Sequence, residues 1–264
     1  MYEKIYSCNG KCNCFNECKE KNNDVKFYSD RVKIGKFYGD RYPKILFAGL
    51  EGVYDGPNYG IPEINQNSTP SLSARNEHYR GVRYVLSYIL SEYDGIQKPK
   101  SAKMCDLDRI EYTNHLQYYC LTNIYKCAFA MQRSRLPHSK SMKNNCPQIF
   151  IKEIDILHPD VVIIQAKKDV PEQLWHSFCN TYNDGKTPER LDMQDGYTSC
   201  YQMRYEDGTP FFVVWTYHGN GFPYARMRGG IFVNNKEYIQ NQLNPVLDSL
   251  IQSLKSSNDK RNYT

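Results

Sequence analysis

The chain has 264 residues, with 34 lysines and arginines against 29 aspartates and glutamates, for a formal net charge of +5. That balance permits a polyanionic partner without demanding one. No run approaches the roughly 18 to 20 consecutive apolar residues of a membrane span, and MYEKIYSCNGKC lacks the apolar core of a secretory signal, so we expect a soluble, cytoplasmic monomer with no membrane partner.

The length fits a single domain over residues 1–264, one α/β core on which a cysteine-rich segment, 1–40, packs. Ten cysteines in a chain without signs of secretion are better explained by metal ligation of some and burial of the rest than by disulfides. Cys8, Cys12, Cys14 and Cys18 form the run C-x3-C-x-C-x3-C, which is not a standard zinc ribbon, and Cys127 and Cys146 lie far downstream. Cys105, Cys120, Cys179 and Cys200 have no paired spacing and are expected to be structural. The 23 tyrosines suit either base stacking and phosphate contact or an ordinary core.

In chain order, the apolar run from Pro43 to Gly49 reads as a buried first strand feeding a loop. The stretch from Gly49 to about Arg75 is rich in Gly, Pro, Asn and Ser, and loops of that length are commonly functional or disordered. Val82, Val85, Leu86, Ile89 and Leu90 recur at helical spacing and predict a helix from Gly81. Leu116 to Phe129 reads as a second buried strand region, with Asn123 at a strand's carboxyl end. A helix over about Asn145 to Leu157 then leads through His158-Pro159 into a strand at Val161 to Ile164. Phe211 to Trp215 is another strand. The closing helix carries Ile239, Leu243, Val246, Leu247, Leu250 and Leu254 on one face, with Pro245 as a candidate kink, and the tail SSNDKRNYT is expected to fray.

Strands alternating with helices imply a largely parallel sheet covered on both faces. Ligands of such sheets bind outside the carboxyl ends of the strands, which is where Glu51, Asn123 and His218 follow their strands.

Taken in order, LFAGLEG, LTNIYKC, NNCPQIFIKEIDILHPDVVIIQ and VVWTYHGNG resemble the uracil-DNA glycosylase superfamily, most closely its iron-sulphur branch. The resemblance spans about residues 1 to 225 and is most specific from Asn123 through Gln165. It implies an α/β three-layer sandwich with a central, largely parallel sheet of four or five strands, and a DNA partner. It also implies hydrolysis of the bond between a base and deoxyribose, leaving an abasic site. Glu51 then matches the water-handling acid of the first motif, Asn123 the base-reading asparagine and His218 the late histidine. Cys127 and Cys146 match two ligands of a [4Fe-4S] cluster, completed by two of the four N-terminal cysteines, Cys8 and Cys12 or Cys14 and Cys18. Zinc is the alternative for four thiolates.

The chain departs from the family's pattern. Leu50 follows Gly49, so the acid comes one place later than in the iron-sulphur branch; Gly49 and Gly52 flank it and are expected beside the base. The stacking phenylalanine is missing, and Tyr79 is the candidate replacement. Gly219 stands where a proline usually follows the histidine. A pocket so altered is open to a base other than uracil, including a bulky modified pyrimidine, and to a role in repair or in defence against foreign DNA.

Cleavage builds positive charge on the sugar and negative charge on the departing base. Glu51 can stabilise the first and orient water, with Asp55 as substitute; His218 can donate to the second. Asn123 offers one donor and one acceptor to a pyrimidine edge. Beyond the histidine, Phe222, Tyr224 or Met227 can wedge into the gap left by an extruded base while Arg226 and Arg228 bind phosphates. Arg133 and Arg135 either line the DNA face or solvate their loop. Each residue also has a plain reading: Glu51 as an exposed loop acid, His218 as a cap after a strand, Asn123 as a local backbone partner. No lysine in these motifs suggests Schiff-base chemistry. The competing functions are a catalytically inactive DNA-binding or inhibitory protein of the same fold, and an enzyme acting on a small nucleotide or nucleoside.

Overall fold

The computed structural model describes residues 26–29, 32–49, 77–125, 127–131, 134–135, 140–165, 172–192, 198–216 and 235–261. Its centre is a six-stranded mixed sheet. β1 (Lys26–Ser29) belongs elsewhere, but β2 (Lys33–Ile34) is the antiparallel edge of this sheet, paired with β4 (Tyr119–Asn123). β3 (Ile45–Gly49) runs parallel to β4 on one side and to β7 (Val161–Gln165) on the other. β9 (Pro210–Thr216) is parallel to β7, and β8 (Ser199–Arg204) closes the far edge antiparallel to β9. The order is thus β2-β4-β3-β7-β9-β8, two antiparallel edges around four parallel strands. The expectation of four or five strands is corrected to six, because SCYQMR is too polar to read as a core strand yet pairs along its whole length with β9.

A second sheet, β1-β5-β6, joins β1 to β5 (Cys127–Met131) and β6 (Ser134–Arg135). The predicted single strand from Leu116 to Phe129 is therefore two strands in different sheets, split after Asn123 where Ile124 and Tyr125 are buried outside either strand. A continuous apolar run records burial and cannot show a change of direction.

Period-2 alternation sorts the central strands between two cores. Ile45, Phe47, Tyr119, Val161, Ile163, Phe212 and Val214 pack under α1 (Glu77–Asp94). Short α2 (Met104–Leu107) and α3 (Ile110–His115) follow α1. Leu46, Ala48, Cys120, Val162, Ile164, Phe211 and Val213 face the opposite way, against α4 (Lys140–Leu157) and α5 (Glu172–Tyr182). Helices on both faces of one sheet make three layers. Every residue of β3 and β7 is buried, as a parallel strand covered on both sides must be.

α4 begins earlier than the predicted Asn145, since the polar turn KSMKN carries little apolar signal. It ends at His158, whose positive φ of 46° and N–H bond to Ile154 O form a left-handed cap just before Pro159. The Asp160 carboxylate then accepts the Lys44 N–H at 2.8 Å, aligning the starts of β3 and β7.

The closing helix is interrupted as its proline suggests, though not by a simple kink. α6 (Asn235–Tyr238) runs into a π-helical turn, Ile239–Leu243, and then α7 (Asn244–Arg261). Pro245 offers no N–H to the preceding turn, and the chain widens so that Asn244 N–H bonds Ile239 O, five residues back. α7 lies on α1 through Tyr84 Oη to Asn244 Oδ1 at 2.8 Å and Tyr88 Oη to Asp248 Oδ1 at 3.0 Å. Burial pushes both phenols up from their ordinary range, which keeps them donors. Among the described residues, no helix is long and apolar enough to cross a membrane.

Candidate functional site

Strand β3 is the point at which the sheet reverses its order. From β3 the chain passes by α1 to β4 on one side, and from β4 it returns by α4 to β7 on the other. The helices after β3 and β7 lie on opposite faces, so a crevice is expected between the carboxyl ends of these two strands, the usual ligand position in open α/β sheets.

The register identifies what stands there. Gly49 pairs with Asn123, and Gln165 pairs with Thr216. Ile45 through Ala48 pair with Val161 through Ile164, and the same register carried one residue further sets Gln165 beside Gly49. Asn123, Gly49, Gln165 and Thr216 therefore form one row across the ends of the four parallel strands. By alternation all four belong to the face covered by α1. Strands lie about 4.8 Å apart, so the Cα atoms of Asn123 and Gln165 stand roughly 10 Å apart with glycine between them.

Each place in the row has a physical reason. A Cβ on Gly49 would sit 2.5 Å from Asn123 Oδ1, so only glycine leaves room for the carboxamide above β3. Ile124 N–H bonds Gly49 O at 2.9 Å and continues the ladder one step past Asn123, which fixes the base of that side chain. On the opposite face of β4, Thr122 Oγ1 donates to Glu153 Oε2 at 2.9 Å, both residues being buried, and ties the end of β4 to α4. Thr216 is wholly buried. Gln165 is 1 % exposed, and among the described residues neither its Oε1 nor its Nε2 has a hydrogen-bond partner. The row holds two carboxamides and a hydroxyl and carries no formal charge, which suits a neutral polar ring better than a phosphate.

Of the residues singled out from sequence, Asn123 ends β4 and Gly49 ends β3, side by side. Tyr79 lies in the first turn of α1 rather than in a loop, and its side chain is outside the described residues. Glu51, Asp55, Gly52, His218, Phe222, Tyr224, Arg226, Met227, Arg228 and Arg133 are also outside them, as are Cys8, Cys12, Cys14 and Cys18. In sequence, Glu51 follows Gly49 by two residues and His218 follows Thr216 by two. Arg135 pairs with Ala130 in the small sheet.

Cys127 opens β5, four residues beyond Asn123. Cys146 is buried in α4, six residues beyond Lys140, and so does not open its helix. Among the described residues there is no group of three or more side chains able to hold a metal. Cys120 and Cys200 are buried, and desolvation pushes their thiols up, which leaves them as small apolar groups; Cys179 is buried and shifted the same way. Cys105 differs in being exposed.

Gln165 and Thr216 are absent from the sequence-based site, although the rule that selects Asn123, a polar residue closing an apolar strand, selects them equally. Compared with models of protein families and with curated proteins, the chain matches none. The fold class and the row of polar strand ends are what define it: an α/β protein with a candidate ligand site at its topological switch point.

Proposed function

We propose that the protein is a monofunctional DNA glycosylase of the uracil-DNA glycosylase type, which extrudes a nucleotide and hydrolyses its N-glycosidic bond. The observation that carries this reading is the Asn123 carboxamide standing over Gly49 at the reversal point of the sheet. A base-reading group must be rigid and able to give and accept a hydrogen bond, and that is what this carboxamide offers. The three-layer arrangement and the sequence resemblance point the same way.

In this reading Glu51 stabilises positive charge on the sugar and orients water, while His218 donates to the departing base. In sequence, each follows two residues after a strand of the row. Arg226 and Arg228 contact phosphates, and Tyr79 stacks on the base. The base has to leave the helix first, because the bond is unreachable in a stacked duplex. The partner is DNA and the protein acts as a monomer.

A [4Fe-4S] cluster would be held by Cys127, Cys146 and two of the N-terminal cysteines. Four thiolates suit it, and the burial of Cys146 suits a structural group. When bound it would supply a cross-link and no chemical step.

Substitution tests the assignment. Glu51→Gln and His218→Ala are each expected to lower base release by at least about a hundredfold while DNA binding persists. Unchanged release in both variants would remove the proposed chemistry.

A further inference from the structure

Gln165 has no role in the chemistry just described. Its side chain is 1 % exposed, on the row face, one strand beyond Gly49 and on the other side of it from Asn123. Both polar atoms lack a partner among the described residues, and no other described residue has two such atoms. A buried carboxamide in this condition forfeits its hydration without return, so it should be replaced by an apolar residue unless something binds it. The neighbouring residues of β7, Val161 to Ile164, are all apolar and buried, so Gln165 is the one polar residue of its strand.

We propose that Gln165 is a specificity-determining residue, a second base-reading carboxamide that hydrogen-bonds the edge of the base that Asn123 does not reach. This rests on the glycosylase reading. Two amides flanking a bare glycine hold a planar ring by two edges. The preferred base then carries a hydrogen-bonding group on its second edge: a pyrimidine with a polar substituent at C5, or a purine through N7. Uracil presents only C–H groups at C5 and C6 and leaves the amide unpaired.

The test uses the full chain and its Gln165→Met variant, with Gln165→Leu as a second apolar replacement. Duplexes carrying deoxyuridine, 5-hydroxymethyldeoxycytidine or deoxyinosine are compared for base release, and Tm is measured for each protein. The expected result is a Tm equal to or above that of the unaltered protein. Alongside it, release of the best two-edged base relative to uracil falls at least about tenfold, as when a site built to bond a group meets an analogue without it. An unchanged ratio overturns the inference, and so does a marked fall in Tm or failure of both variants to fold, since the amide would then be structural. If the unaltered protein releases no base from any duplex, the glycosylase reading itself fails and this inference with it.

Discussion

Asn123 Oδ1 occupies the space that a side chain on Gly49 would need, since a Cβ there would approach it to 2.5 Å. Gly49→Ala must therefore displace the carboxamide or the end of β3. The clash is with the far end of one side chain and with no backbone atom, so the stability loss should be small and the effect should fall on the position of the carboxamide. Base release should fall as in Asn123→Ala, and the double variant should be no worse than Asn123→Ala alone, because both act through one group. Additive losses in a double-mutant cycle would show that Gly49 matters for another reason.

Thr122 and Glu153 form a buried pair behind the same strand end. Thr122→Val keeps the shape and removes the donor to a buried carboxylate, at an expected cost of about 1 to 3 kcal/mol in urea unfolding. Because the bond braces β4 beside Asn123, base release should fall further than the fraction of folded protein.

His115 and Asp94 set the acid limit of stability. His115 is 2 % exposed, with Nε2 2.8 Å from Asp94 Oδ2, and Arg41 bonds the other Asp94 oxygen at 2.6 Å. Burial outweighs the attraction of Asp94 and holds the imidazole below its ordinary 6.5, with Arg41 adding to that fall and Glu111 opposing it. A histidine depressed in the fold binds its proton more readily when unfolded, so stability is full above about 6.5 and declines as pH falls below it. At Asp94, burial alone would raise the carboxyl, but its bonds to Arg41 and His115 hold it down, and that contribution is lost only at still lower pH. Tm should thus drop between pH 7.5 and 5.5, and drop less in His115→Gln. Equal drops would mean that another group titrates.

The proposed cluster makes a visible prediction. The protein purified without oxygen should be brown and contain iron, and Cys146→Ser should lose the iron and melt several degrees lower. A colourless protein holding zinc would retain the thiolate site and change its metal.

Much of the site region can be read in advance because buried parallel strands are unbroken apolar runs, and ILFAG, the run to Asn123 and VVII are such runs. Their carboxyl ends point to ligand positions without further information. The apolar run Val161 to Ile164 is followed directly by Gln165, a polar strand end like Asn123, but its burial and its lack of partners among the described residues are visible only in three dimensions. β8 escapes notice because an edge strand needs polar residues on its open side, and α5, EQLWHSFCNTY, is passed over between two better marked strands. The division of Leu116 to Phe129 between two sheets depends on pairing with Lys26–Ser29, which local pattern does not contain.

The central claim is that the strand-end row receives a nucleobase and that the base is released from DNA. Mass spectrometry of small molecules liberated from duplexes with uracil, deaminated purines and modified cytosines tests it most directly. The account predicts a free base and an abasic strand from at least one duplex with the unaltered protein, and neither with Asn123→Ala. No free base from any duplex, or undiminished release by Asn123→Ala, would contradict it.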